Sequence, residues 1–164
     1  MNTPNFNVYE AIISLLDKHH ANYHVLDHEP EGQSELVSQI RGNDLSQGAK
    51  AMVLMVKVSK KTSQYYLAVI PANKQIDFDA IKELCPGAKR VMFAPPEKAE
   101  KLTNCTMGAV PPFSFHPELN LVVDPLLLKN EVIVFNAGKL DKSIFLSSES
   151  YIKTVNPQIK NIVK

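Results

Sequence analysis

Lys50 stands at the head of the most apolar stretch of the chain, in Gly48-Ala49-Lys50-Ala51-Met52. In an extended strand it shares a face with Met52 and Leu54. An ammonium in such company pairs, snorkels to the surface or faces a pocket. One reading is snorkelling at a strand end. The other is a cation aimed into a cleft to meet an anionic or carbonyl group. A second feature is Gly108-Ala109-Val110-Pro111-Pro112-Phe113. Glycine admits close backbone approach, and two prolines stiffen the turn while removing donors. The N–H groups of Gly108, Ala109 and Val110 could face a substrate oxygen, as an ester hydrolase needs where negative charge develops. The alternative is a structural turn that fixes a sheet crossing. Third is Asn136-Ala137-Gly138-Lys139-Leu140-Asp141-Lys142-Ser143, a compact link between two strands. It is either a solvated turn or one wall of the same pocket.

The usual catalytic sets are missing from the sequence. There is no Gly-x-Ser-x-Gly elbow and no phosphate-binding glycine loop. The five histidines form no His-x-x-x-His pair within a helix; His24 and His28 are four apart in a strand-to-loop context. Cys85 and Cys105 lack Cys-x-x-Cys spacing and are expected as reduced thiols near the core.

The elements that must position these residues follow from periodicity. Helices are expected over 6–20 (capped by Asn7), 34–40 (capped by Ser34, stopped by Gly42), 77–84, 95–102 and 148–153. Strands are expected near Tyr23 to Leu26 and over 49–58, 65–71, 90–93, 121–123, 132–135 and 142–146, the second and third of these as a hairpin. Residues 49–58 are apolar on both faces, which marks a central, doubly covered strand. The chain after 153 reads as a polar tail. Short strands mixed with helices give an α+β fold around a mixed, mainly antiparallel sheet with flanking helices.

With 164 residues and 45% hydrophobic content, the chain is expected to form one domain over 1–164 with a real core. No apolar run approaches the ~18 residues of a membrane span, and Met1 to Tyr9 is polar, so no membrane role and a cytoplasmic location are expected. The net charge of +1 argues against wrapping long duplex nucleic acid, so no DNA partner is expected.

Lys50 in Gly-Ala-Lys-Ala-Met-Val-Leu, the 108–112 stretch, Val123-Asp124-Pro125-Leu126-Leu127 and Phe135-Asn136-Ala137-Gly138 follow one another in a known order and spacing. On these motifs the chain resembles the bacterial YbaK/ProX-type aminoacyl-tRNA deacylases, relatives of the editing domain of prolyl-tRNA synthetase. The resemblance runs from about Tyr23 to Leu146. It is nearest the free-standing YeaK branch, through the run from Gly108 to Pro117.

The resemblance implies a trans-editing hydrolase that cleaves the ester between a small mis-attached amino acid and the 3′ end of tRNA. Serine, threonine or alanine is favoured. Lys50 is the matching essential side chain, with Gly108 and Ala109 in the reacting loop. Water attacks the ester, helped by backbone groups and the substrate's own ribose hydroxyl, with no metal and no cofactor. Many prolyl-editing relatives carry a histidine near the turn matching 136–141; here Gly138, Lys139 and Leu140 stand there. Val110, Pro111, Pro112, Phe113, Met52, Asn136, Ala137 and Gly138 are expected to hold the substrate, with Phe113, Met52 and Val110 lining a small cavity. Lys139, Lys142, Lys57 and Arg41 are expected to meet tRNA phosphates. The implied partner is mischarged tRNA, with a synthetase as a further candidate. The alternative function is a non-catalytic module that binds tRNA or a synthetase on the same fold.

Overall fold

The computed structural model describes residues 6–164; residues 1–5 of the expected polar N-terminal segment lie outside them. Two sheets carry the fold. In the larger, β2 (Ala49–Lys57) pairs antiparallel with β3 (Ser63–Pro71) on one side and β4 (Arg90–Phe93) on the other. β5 (Leu119–Val123) then runs parallel to β3, giving the order β4-β2-β3-β5 and closing on a short C-terminal strand, β8 (Gln158–Ile159). The smaller sheet is antiparallel, in the order β1 (Tyr23–Asp27), β7 (Lys142–Ser147), β6 (Val132–Lys139). The α+β class with a mixed, mainly antiparallel sheet and flanking helices is the one observed.

The two apolar faces of β2 each meet a core. Ala49 and Val53 join a cluster that also takes in Ile133, Phe135, Ile144 and Leu146 of the smaller sheet. Helix α1 (Val8–Lys18) packs Val8, Ile12 and Leu16 into it, and its first turn is capped by the Asn7 side chain, which accepts from Glu10 N–H at 3.0 Å. Leu54 and Val56 enter a second cluster with Ile70, Ile81 of α3 (Phe78–Glu83) and Ile162. Helix α4 (Pro96–Thr103) closes the first core with Ala99 and Leu102, and α5 (Ser148–Val155) with Tyr151, whose hydroxyl donates to the Pro112 carbonyl at 2.6 Å.

Three local readings are corrected. Helix α2 (Ser34–Arg41) is not capped by Ser34: Gln33 is its N-cap, and the Glu31 carboxylate takes the Gly32 and Gln33 N–H groups instead. Residues 136–139 are not a turn but the end of β6, with a register shift between Asn136 and Lys139. The tail is not merely polar. Buried Asp124 accepts the Ile162 N–H at 2.7 Å with Oδ2 and the Leu126 N–H with Oδ1, which draws the fully buried Ile162 into the core beside β8.

Candidate active site

A cleft of about 300 Å³ is lined by the start of β2, one face of α2, the end of β4, Ala99 of the helix over Pro96–Thr103, Asn136 of β6 and the loop at 107–110. Its walls are mostly small. Ala49, Ala51, Ala72, Ala94 and Ala99 all line it, so much of its wall is methyl groups close to the backbone. Lys50 stands at its edge, paired with Ile70 in the β2–β3 ladder and exposed. Among the described residues no carboxylate lies within salt-bridge distance of its ammonium. Met52 and Val110 line the cleft.

The 108–112 loop divides into a part that faces the cleft and a part that fastens it. Gly108 adopts φ +90°, and a Cβ there would lie 2.8 Å from the Gly32 Cα, so only glycine fits. Ala109 does not offer a free donor: its N–H goes to the Thr106 carbonyl at 3.0 Å, and its carbonyl accepts from Gly138 N–H. It is fully buried. The donor set therefore narrows to the N–H groups of Gly108 and Val110, which have no protein acceptor among the described residues and belong to cleft-lining residues. Pro111 and Pro112 are buried behind the loop. Phe113 is a correction: its ring lies in the core against Phe115, Phe135 and Tyr151, not in the cleft. Three aromatic neighbours offer that ring more apolar contact than a half-open cleft does.

Behind the loop runs a polar network. Asn136, only 5% exposed, donates from Nδ2 to the Gly108 carbonyl (3.0 Å) and the Glu31 carbonyl (2.8 Å). Its Oδ1 accepts from Arg41 Nη2 at 2.9 Å and from Ser143 Oγ at 3.1 Å. Arg41 Nε donates to Ser143 Oγ at 2.8 Å, and His28 Nε2 lies 2.6 Å from the same oxygen. Arg41 thus lines the cleft, with Nε and Nη2 engaged by Ser143 and Asn136. Burial lowers its guanidinium to about 10, so it is still a cation at neutral pH, held by neutral oxygens. Ala137 is fully buried, and Gly138 abuts Val8, where a Cβ would meet Cγ1 at 3.0 Å.

The remaining expected RNA contacts do not converge on this cleft. Lys57 sits at the opposite end of β2, seven residues from Lys50 and so about 20 Å away along the strand. Lys142 is paired with Asp27 at 2.6 Å, which raises its pKa, and Lys139 lies over the Tyr9 ring. The sequence reading missed Gly32, Ser38, Gly48 and Phe93, all of which line the cleft. Gly32 had no periodic signal around it; its role appears only in its contact with Gly108. Among the described residues no group of three His, Cys, Asp or Glu side chains could hold a metal ion. No helix there is long and apolar enough to cross a membrane.

Residues 28–154 match the aminoacyl-tRNA editing domain family, and the chain belongs to that family. The Escherichia coli (strain K12) protein named multifunctional Ser/Thr-tRNA deacylase ProXp-y is 42% identical over 154 residues, covering 93% of this chain and 91% of that one. The prolyl-tRNA editing protein ProX of Acetoanaerobium sticklandii is 25% identical over 150 residues, covering 89% of each. The crystal structure of hypothetical protein APE2540 superposes with a TM-score of 0.82 at 20% identity, over 93% of this chain and 99% of that one; it speaks for the fold alone.

Proposed function

We propose that residues 1–164 act as a single trans-editing deacylase that releases serine, threonine or alanine from the 3′ end of mischarged tRNA, in the free-standing YeaK branch of the family. The observation that carries this reading is one small-walled cleft lined by Lys50, Gly108 and Val110, whose ammonium and N–H groups have no partner among the described residues. The 42% identity to a Ser/Thr-tRNA deacylase supports the choice of amino acid.

The chemistry suits such a site. Water adds to the ester carbonyl carbon, and negative charge develops on the carbonyl oxygen. Donors already in place for that charge are worth more than donors that must reorganise. Gly108 and Val110 supply such donors. The ester C–O bond then breaks, and the ribose oxygen leaves with a proton that originates from the water. Lys50 holds the acceptor end by its charge. The ribose hydroxyl next to the ester positions the water, which accounts for a cleft without a Ser-His-Asp set.

The test is turnover. Purified protein is mixed with tRNAs charged separately with alanine, serine, threonine, cysteine and proline. Multiple-turnover release of serine or threonine above the spontaneous rate is expected. Stoichiometric protection of the ester without release would favour a binding module instead.

A further inference from the structure

A second cleft, of about 420 Å³, lies beside the first. Lys50, Met52 and Phe93 line both, so the two share one ridge. Phe93 at the end of β4 is a large ring left 56% exposed, yet it is held in place: Phe78 packs edge-on against it at 5.2 Å and 72°. A fixed ring with an open face is a platform for a flat π-system. Cations flank it. Lys50 stands on the ridge and Lys74 on the far wall, and among the described residues neither has an ion-pair partner. Lys164 also lines the cleft, and so do two acidic side chains, Asp77 and Asp79. The Asp77 carboxylate is turned toward the N–H groups of Asp79 and Ala80 at the start of α3, and Asp79 is exposed on its first turn.

We propose that this second cleft holds the unpaired nucleotide that precedes the terminal adenosine of the tRNA, with its base on Phe93 and its phosphate between Lys50 and Lys74. The inference rests on the deacylase reading, which places the terminal ribose in the first cleft. The chain leaving that ribose must cross the shared ridge, where Lys50 meets it. A phenyl ring reads no base edge, so the subsite tolerates any base but requires one.

The experiment is an anisotropy titration of a short labelled RNA strand ending in CCA, against the same strand with an abasic residue at the penultimate position. For the wild type the abasic strand is expected to bind at least about fivefold more weakly. Phe93→Ala should erase that difference, and Phe93→Trp should keep it. Lys74→Glu should reduce the salt dependence of binding by about one counterion. Equal binding of the two strands by the wild type, an abasic penalty that survives in Phe93→Ala, or no binding of the CCA strand at all overturns the subsite. Binding needs no turnover, so the two readings separate. An abasic penalty in a protein that never releases an amino acid defeats the deacylase and keeps the subsite. Release without an abasic penalty does the reverse.

Discussion

Arg41 donates from Nη2 to Asn136 Oδ1 at 2.9 Å, and the same amide holds the Gly108 carbonyl through Nδ2. A half-buried cation on α2 is therefore linked, through one side chain of β6, to the loop that carries the proposed oxyanion donors. Removing the amide leaves the guanidinium and the carbonyls of both Gly108 and Glu31 underserved. Asn136→Ala is expected to cost about 2–4 kcal/mol in urea unfolding. Asn136→Asp helps separate stability from function. It gives Arg41 a carboxylate but takes the donor from the Gly108 and Glu31 carbonyls, so kcat/KM should fall more than tenfold while the ion pair with Arg41 offsets only part of the lost stability. Equal losses in both variants would show that the network only stabilises the fold.

Gly108 and Gly32 touch where the loop crosses the entry to α2. Gly108→Ala sets a methyl against the Gly32 backbone at a φ of +90°. The loop must move, at a cost of about 1–2 kcal/mol for the left-handed backbone alone. Thermal melting should fall by several degrees, and turnover by more than tenfold. Gly42→Ala is the control: it also has positive φ, but no heavy atom lies within 4 Å of the added methyl, so only stability should change.

The alanine walls set the size of the cleft. A wall of methyl groups excludes bulk but rejects an added hydroxyl poorly. Serine and alanine esters should therefore overlap within about two orders of magnitude in kcat/KM, and phenylalanyl-tRNA should be left intact. Ala99→Leu, placed on the wall by α4, is expected to reduce release of threonine more than that of alanine. Efficient hydrolysis of phenylalanyl-tRNA would contradict the size argument.

Much of this architecture was legible in the sequence, and the reasons are local. The double-faced apolar run of β2, the Asn7 cap and the Gly42 stop are signals carried by neighbours in the chain. What was illegible depends on partners far away. Phe113 reads as a pocket residue beside glycine and proline, yet the rings of Phe135 and Tyr151, from distant segments, claim it for the core. Arg41 reads as a surface cation at a helix end, yet Ser143 and Asn136, about a hundred positions later, take its donors. β8 is too short to show a period, and the Asp124 carboxylate that anchors the tail lies 38 residues before its partner Ile162.

The thiols give a separate check on the mechanism. Burial raises the Cys105 thiol to about 12, with the Thr103 side chain acting in the opposite direction. Its folded form therefore stays a thiol through neutral and mildly alkaline pH. At pH 8 a maleimide should modify the native protein slowly at both buried cysteines and rapidly once it is unfolded in urea. Cys105→Ser should leave deacylation within about threefold of wild type, as expected of a site that uses no covalent thiol intermediate.

Lys50 carries the central claim. The decisive measurement is steady-state release of serine from seryl-tRNA by the wild type and by Lys50→Ala, with circular dichroism confirming equal folding. The wild type should turn over many times, and the variant should lose more than tenfold in kcat/KM, at least about 1.4 kcal/mol of transition-state stabilisation. Lys50→Arg should not restore full activity, because a planar fork has a different reach and shape. A Lys50→Ala protein that releases serine within twofold of the wild-type rate would contradict the account.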